Sequence, residues 1–102
     1  MPEKRWNFSP REGVRVHVRV ETTHGQVNAF AVVLVADIGG IPVCVSRYDT
    51  AHGQPHQDVL GRRQGLIRKD WLMDLTLKQA LDYAIYDLRN NYEKCLEAFL
   101  SH

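Results

Sequence analysis

Cysteine is scarce: Cys44 and Cys95 are the two present in 102 residues. Cys44 falls in a strand-like run and Cys95 on a helical apolar face. Each reads as a small buried hydrophobe, not as half of a disulfide, which excludes a disulfide-stapled secreted scaffold. Long apolar runs are missing too. None approaches the roughly 18 residues of a membrane span, so no membrane partner is expected. The opening stretch MPEKRWNFSPREG has basic residues with no apolar segment behind them, which is not the pattern of a signal peptide. Cytoplasmic residence is the expectation. Charge of one sign is not in excess: 13 Lys/Arg face 12 Asp/Glu, for a net charge of +1. Overall charge therefore supplies no strong pull toward nucleic acid or membrane. Internal repeats, low-complexity tracts and Pro/Gly/Ser linkers are absent, and the length predicts one domain over residues 1–102. Walker A, GxGxxG and GxSxG motifs are absent as well. The Gly39–Gly40 pair lies in a hairpin turn, not a phosphate cradle. No cofactor is expected.

What remains has the composition of an ordinary globular domain, 44% hydrophobic and 25% charged. The charge is unevenly spread: residues 1–69 carry +4 and residues 70–102 carry −3. The most basic stretch, GRRQGLIRK, contains Arg62, Arg63, Arg68 and Lys69 without an acid. It reads either as a solvated loop beside an acidic helix or as a patch that meets phosphates.

Residues 1–13 are polar, contain Pro2, Pro10 and Gly13, and read as a loose N-terminal segment on which Trp6 and Phe8 are tucked. Residues 14–72 read as a sheet. Val14, Val16, Val18 and Val20 alternate with Arg15, His17, Arg19 and Glu21, the period of a strand with one buried and one wet face. QVNAFAVVLVAD, residues 26–37, is apolar on both faces from Ala29 onward and suits a central strand covered on both sides. One helix covers one face; the other needs the N-terminal segment or a second subunit, which motivates a homodimer. DIGG makes a hairpin turn. IPVCVSRYD forms a third strand, with Ile41, Val43, Val45 and Arg47 on one face and Cys44, Ser46 and Tyr48 on the other. HQDVL and LIRKDWL are candidate edge strands. From Thr76 the period lengthens: Leu77, Leu81, Ala84, Ile85, Leu88, Tyr92, Cys95, Leu96 and Phe99 line one face of a long helix over residues 76–100. Thr76 and Gln79 form a capping box. Asp82, Asp87, Arg89, Lys94 and Glu97 fall mostly on the outward face. The fold class is therefore α+β: a three- to five-stranded antiparallel sheet with one long C-terminal helix packed on one face.

Chemistry concentrates in SRYDTAHGQPHQDVL, residues 46–60. Strand 3 ends near Tyr48 or Asp49, so His52 and His56 fall on a connecting loop, where binding and catalysis are common. Arg47 and Asp49 share one side of the extended chain and Tyr48 takes the other. Three readings stand side by side. In the first, Asp49 caps a turn, Gly53 and Pro55 shape it, and the histidines fill hydrogen bonds. In the second, His52 and His56 are a catalytic acid–base pair, with Arg47 or the Arg62/Arg63 patch stabilising anionic charge and Tyr48 donating a proton or stacking on a base. That set suits metal-independent RNA cleavage. In the third, Asp49, His52, His56 and Asp58 offer mixed N/O metal ligands. HGQPH is a proline-containing loop with no cysteine, so no metal is expected.

The run RYDTAHG followed by a His, then Trp-Leu, then an amphipathic helix ending near NYEK resembles a family of small uncharacterised prokaryotic proteins, a domain of unknown function. The likeness spans about Val14 to Phe99 and is most specific at Arg47, Tyr48, Asp49, His52, Gly53 and His56. A shorter similarity runs to the TumE-type toxins of toxin–antitoxin pairs, through Arg47, Tyr48, Asp49, His52 and His56. That resemblance implies ribonuclease chemistry. The expectation carried forward is a small cytoplasmic binding or accessory module. Its polar pocket of Arg47, Tyr48 and Asp49, with Arg62 and Arg63 nearby, suits RNA or another phosphate-bearing or acidic ligand. The alternative is a metal-independent ribonuclease using His52 and His56.

Overall fold

Hairpin turns set the architecture. Gly39 and Gly40 both take positive φ (60° and 82°), the two-residue turn whose twist suits antiparallel strands, and Ile38 pairs with Ile41 across it. The structure, a computed structural model, describes residues 2–50 and 53–102. These form six strands, β1 (Glu3–Arg11), β2 (Val14–Thr23), β3 (Gln26–Ile38), β4 (Ile41–Asp49), β5 (His56–Gly61) and β6 (Gly65–Trp71), followed by helices α1 (Leu77–Asn90) and α2 (Tyr92–Ser101). The strands make one antiparallel sheet in chain order, β1-β2-β3-β4-β5-β6.

The α+β class stands, but the strand count and the single helix are corrected. The additional strand is β1, which lies in the segment read as loose. It pairs with β2 from Glu3↔Glu21 to Arg11↔Val14. A polar strand with one proline before it and another near its end looks like a loop in sequence, yet an edge strand tolerates both features because one side of its backbone needs no ladder partner.

The single helix is divided at Asn91, whose backbone (φ −118°, ψ 19°) leaves the helical region. The side-chain amide of Asn91 donates to Asp87 Oδ1 at 2.9 Å, and that of Asn90 to the Tyr86 carbonyl at 2.9 Å. Such local bonds compete with helical backbone geometry, which is why asparagine is a weak helix former. The start of α1 is as expected: Gln79 N–H donates to Thr76 Oγ1 at 3.1 Å, and Thr76 N–H to Gln79 Oε1 at 3.0 Å.

Both helices lie on one face of the sheet. Val14, Val16, Val18 and Val20 of β2 and Phe30, Val32, Leu34 and Ala36 of β3 point into this layer. They meet Ala80, Leu81, Ala84 and Leu88 of α1 and Phe99 of α2. Burying each larger aliphatic side chain contributes ~1.5–3 kcal/mol. Strand β3 is not sealed on its second face. Ala29, Ala31, Val33 and Val35 there are half-buried, and β1 extends the sheet edge without covering them.

A bulge also alters β4. Leu34 pairs with Ser46 but Val35 pairs with Cys44, leaving Val45 as the extra residue. Val45 therefore turns inward with Ser46 and Tyr48, while Arg47 keeps the opposite face, so Val45 and Arg47 do not share a side.

The β5–β6 turn is tied to the last turn of α2. Arg62 N–H donates to the Phe99 carbonyl at 2.9 Å, and the Arg63 and Gln64 N–H groups donate to the His102 carbonyl at 3.1 and 3.0 Å. These bonds satisfy carbonyls that a helix C-terminus leaves open, and two arginines suit its partial negative charge. A Cβ on Gly61 would lie 2.8 Å from His102 Cβ and 3.0 Å from that residue's backbone C and O. Replacing Gly61 with alanine should push the turn off the helix end and lower stability by ~1–3 kcal/mol, read from urea unfolding; an unchanged midpoint would show that this contact does not hold the hairpin.

Candidate functional site

The same antiparallel register that builds the sheet gathers six chemically active side chains on its helix-free face. Arg47 pairs with Asp58 and Asp49 with His56 across β4–β5; Asp58 pairs with Lys69 and His56 with Trp71 across β5–β6. Because strand side chains alternate, all six project away from the helices.

Asp58 is the hub. Its side chain is only 3% exposed. Arg47 Nε donates to Oδ2 at 2.7 Å. Lys69 Nζ lies 3.0 Å from Oδ1, held by charge and not by an aligned hydrogen bond. Burial alone would raise the Asp58 pKa, but the Arg47 bond and the Lys69 ammonium outweigh it and hold the carboxyl below the usual range. Arg47 is shifted further up, first by its bond to Asp58.

His56 is 1% exposed and lies against Trp71, with ring centroids 5.0 Å apart. Its Nδ1 is 3.1 Å from the Gln54 carbonyl, so that nitrogen carries a proton and donates. Its Nε2 is 3.1 Å from Asp49 Oδ1 and 3.2 Å from Lys69 Nζ. A neutral ring accepts from Lys69; a charged ring donates to Asp49. Either state uses both nitrogens inside the protein.

Asp49, His56 and Asp58 bring three ligand atoms within 4.8 Å of one another, a donor set suited to a metal ion. Lys69 fits that space instead. Its ammonium touches both the Asp58 carboxylate and the His56 nitrogen, and Arg47 neutralises the other side. The cluster supplies its own cations, so these residues do not fit a resident metal.

The structure separates several residues that the sequence reading grouped. His56 does not lie on the loop: it opens β5 and is sealed beneath Trp71. His52 lies outside the described residues. Tyr48 is on the helix side, where its hydroxyl donates to Asp87 Oδ2 at 2.6 Å. Burial, then that bond, pushes the Tyr48 pKa far above the ordinary tyrosine range, so it is no proton donor at neutral pH. Asp87 accordingly faces inward. Arg62 and Arg63 are on the exposed β5–β6 turn, their amides bound to α2.

Lys69 and Trp71 were missed as site residues. The signal was the period-two spacing in RKDW, the same spacing that sets Arg47 with Asp49 and His56 with Asp58. Both cysteines are free. Burial raises the Cys44 pKa, and burial with the nearby Asp87 charge pushes Cys95 up to about 11, so neither is a thiolate nucleophile at neutral pH.

Fold and site together define an α+β protein with a one-sided helical layer and an ion-paired cluster on the uncovered sheet face. The chain belongs to the family described as Domain of unknown function (DUF7718), whose model matches residues 1–102. No curated protein and no solved structure matches it. No helix among the described residues is long and apolar enough to cross a membrane.

The lowered Asp58 pKa fixes a pH dependence. Its stabilisation is present above the unfolded carboxyl value of about 3.9 and is lost as pH falls from there through the lower folded value. Asp58→Asn should cost ~1–3 kcal/mol at pH 7 and shrink the stability difference between pH 7 and about pH 3, measured by denaturant unfolding. Equal acid sensitivity in both proteins would remove Asp58 from its central position.

Proposed function

We propose that this protein is a binding module for a phosphate-bearing or acidic ligand, which lies on the helix-free face and is gripped by Arg47. One observation carries the reading. Arg47 is anchored through Nε to the buried Asp58, while its side chain remains 47% exposed. Among the described residues its two terminal nitrogens have no hydrogen-bond partner. A guanidinium fixed at one end and open at the other is a fork already oriented for a carboxylate or phosphate.

The surroundings suit an elongated anion. Arg47 is in register with Val33 of β3 and, one strand further, with His17 of β2. Two strand spacings put Arg47 and His17 roughly 10 Å apart. Over β1, β2 and β3 runs a trough of about 410 Å³, with Ala31 and Val33 as floor and Arg5, Asn7, His17 and Arg19 on its walls. Small floor residues and long cationic walls leave room for an extended ligand with more than one acidic group.

The ribonuclease reading asks His56 to exchange protons with a substrate, and its buried, doubly engaged ring opposes that role. A second copy of the chain is the competing occupant, since it would cover the half-buried Ala29, Ala31, Val33 and Val35.

Titration of 15N-labelled protein with inorganic phosphate, nucleotides and short RNA should shift Arg19, Val33 and Arg47 signals. Arg47→Ala should weaken binding ~10–100-fold, the worth of one or two charge-assisted hydrogen bonds, and added salt should weaken it too. No movement on this face at ~10 mM ligand, a regime that detects millimolar affinity, would reject the proposal. Cleavage of RNA in EDTA would favour the enzyme, and sedimentation showing a dimer closed over β3 would give the face to a second copy.

A further inference from the structure

The layer between sheet and helices is not apolar throughout. Its β2–β3 half is core, but the β4–β6 half holds a cleft of about 360 Å³, within the range of small-molecule sites. We propose that this cleft binds a small zwitterion of amino-acid size, its cationic group on Asp87 and its anionic group between Lys94 and Arg68.

The cleft holds residues that packing does not call for. Ser46 is 3% exposed on an inward face where Val45 and Tyr48 are its buried neighbours. Its hydroxyl accepts from Gln57 Nε2 at 3.1 Å. The helices present a polar stripe to the same space. Asp87 near the end of α1, Asn91 at the break, and Lys94 and Cys95 of α2 line it.

Asp87 is held as an acceptor. Its Oδ2 takes the Tyr48 hydroxyl at 2.6 Å and its Oδ1 takes the Asn91 amide at 2.9 Å. Each oxygen retains a lone pair for a further donor. The cations differ in setting. Lys94 is exposed and has no ion-pair partner among the described residues. Arg68 is anchored through Nε to the Asp70 carboxylate at 3.0 and 3.2 Å, which leaves its terminal nitrogens open. Val59, Leu60 and Ala98 supply apolar wall. A cavity lined by a fixed carboxylate and by cations that are not ion-paired to it is complementary to a ligand carrying both charges, not to a simple anion. This site lies on the opposite side of the sheet from Arg47 and stands independently of the function proposed above.

The probes are free L-valine, whose anionic end is a carboxylate, and O-phosphoethanolamine, whose anionic end is a phosphate. Acetate and methylamine serve as single-charge controls. At ~10 mM, enough to reveal millimolar affinity, one or both zwitterions should shift Ser46, Asp87, Asn91 and Lys94 in 15N spectra, with the controls inert. The better of the two identifies the anionic group. Lys94→Ala, an exposed change that leaves the fold intact, should weaken binding about tenfold or more. Asp87→Asn should do the same. The proposal fails if neither zwitterion moves these signals, if acetate binds equally well, or if binding survives Lys94→Ala unaltered.

Discussion

Helices cover one face of this sheet and leave the other to water, and most of what distinguishes the molecule follows from that constraint. The covered face at β2 and β3 is built of valine, leucine and phenylalanine because burial there is complete. The uncovered face has to present side chains that tolerate solvent while shielding the backbone ladder. It does so with long charged residues whose stems lie over the small residues of β3. The two free edges follow the same logic: β1 carries Lys4, Arg5 and Pro10, and β6 carries Arg68, Lys69 and Asp70, all of which discourage pairing with another chain.

Within the uncovered face, three strands converge on a single buried carboxylate. A lone charge at 3% exposure would be expensive, and the arrangement is tolerable because Asp58 meets an arginine on one oxygen and a lysine near the other. The lysine also contacts the buried histidine, so what resembles a set of metal ligands is closed by an ammonium. The consequence for chemistry is a division of labour. The inner members hold one another, and the outward end of Arg47 stays open to solvent.

Much of this was legible in residue order, and the failures have physical causes. Alternation of valines with charged residues identified β2, the double glycine identified the β3–β4 turn, and Thr76 with Gln79 identified the start of α1. Arg47 and Asp49 were correctly placed on one side of β4 and Tyr48 on the other. The β4 bulge escaped notice because period-two reading has no means of inserting an extra residue at Val45. The N-terminal strand escaped because its stability comes from pairing with β2, not from burying its own side chains. Asn90–Asn91 was the available sign of the break between helices, outweighed by an apolar repeat that runs on through it. The end of strand 3 near Asp49 suggests a loop position for His56, although HQDVL, the candidate strand it opens, is where it lies. Its burial depends on Trp71, fifteen positions away and adjacent only through the β5–β6 register.

The β4–β5 ladder spans four residue pairs, from Ser46↔Val59 to Asp49↔His56, far fewer than the ten joining β2 to β3. The amides that bind the Phe99 and His102 carbonyls tie the far end of this last hairpin to α2. The β5–β6 hairpin is thus held on two sides, by the β4 ladder and by the end of α2. Four of the six cluster side chains are on β5 and β6, so the geometry around Asp58 depends on that hairpin staying docked against β4 and α2.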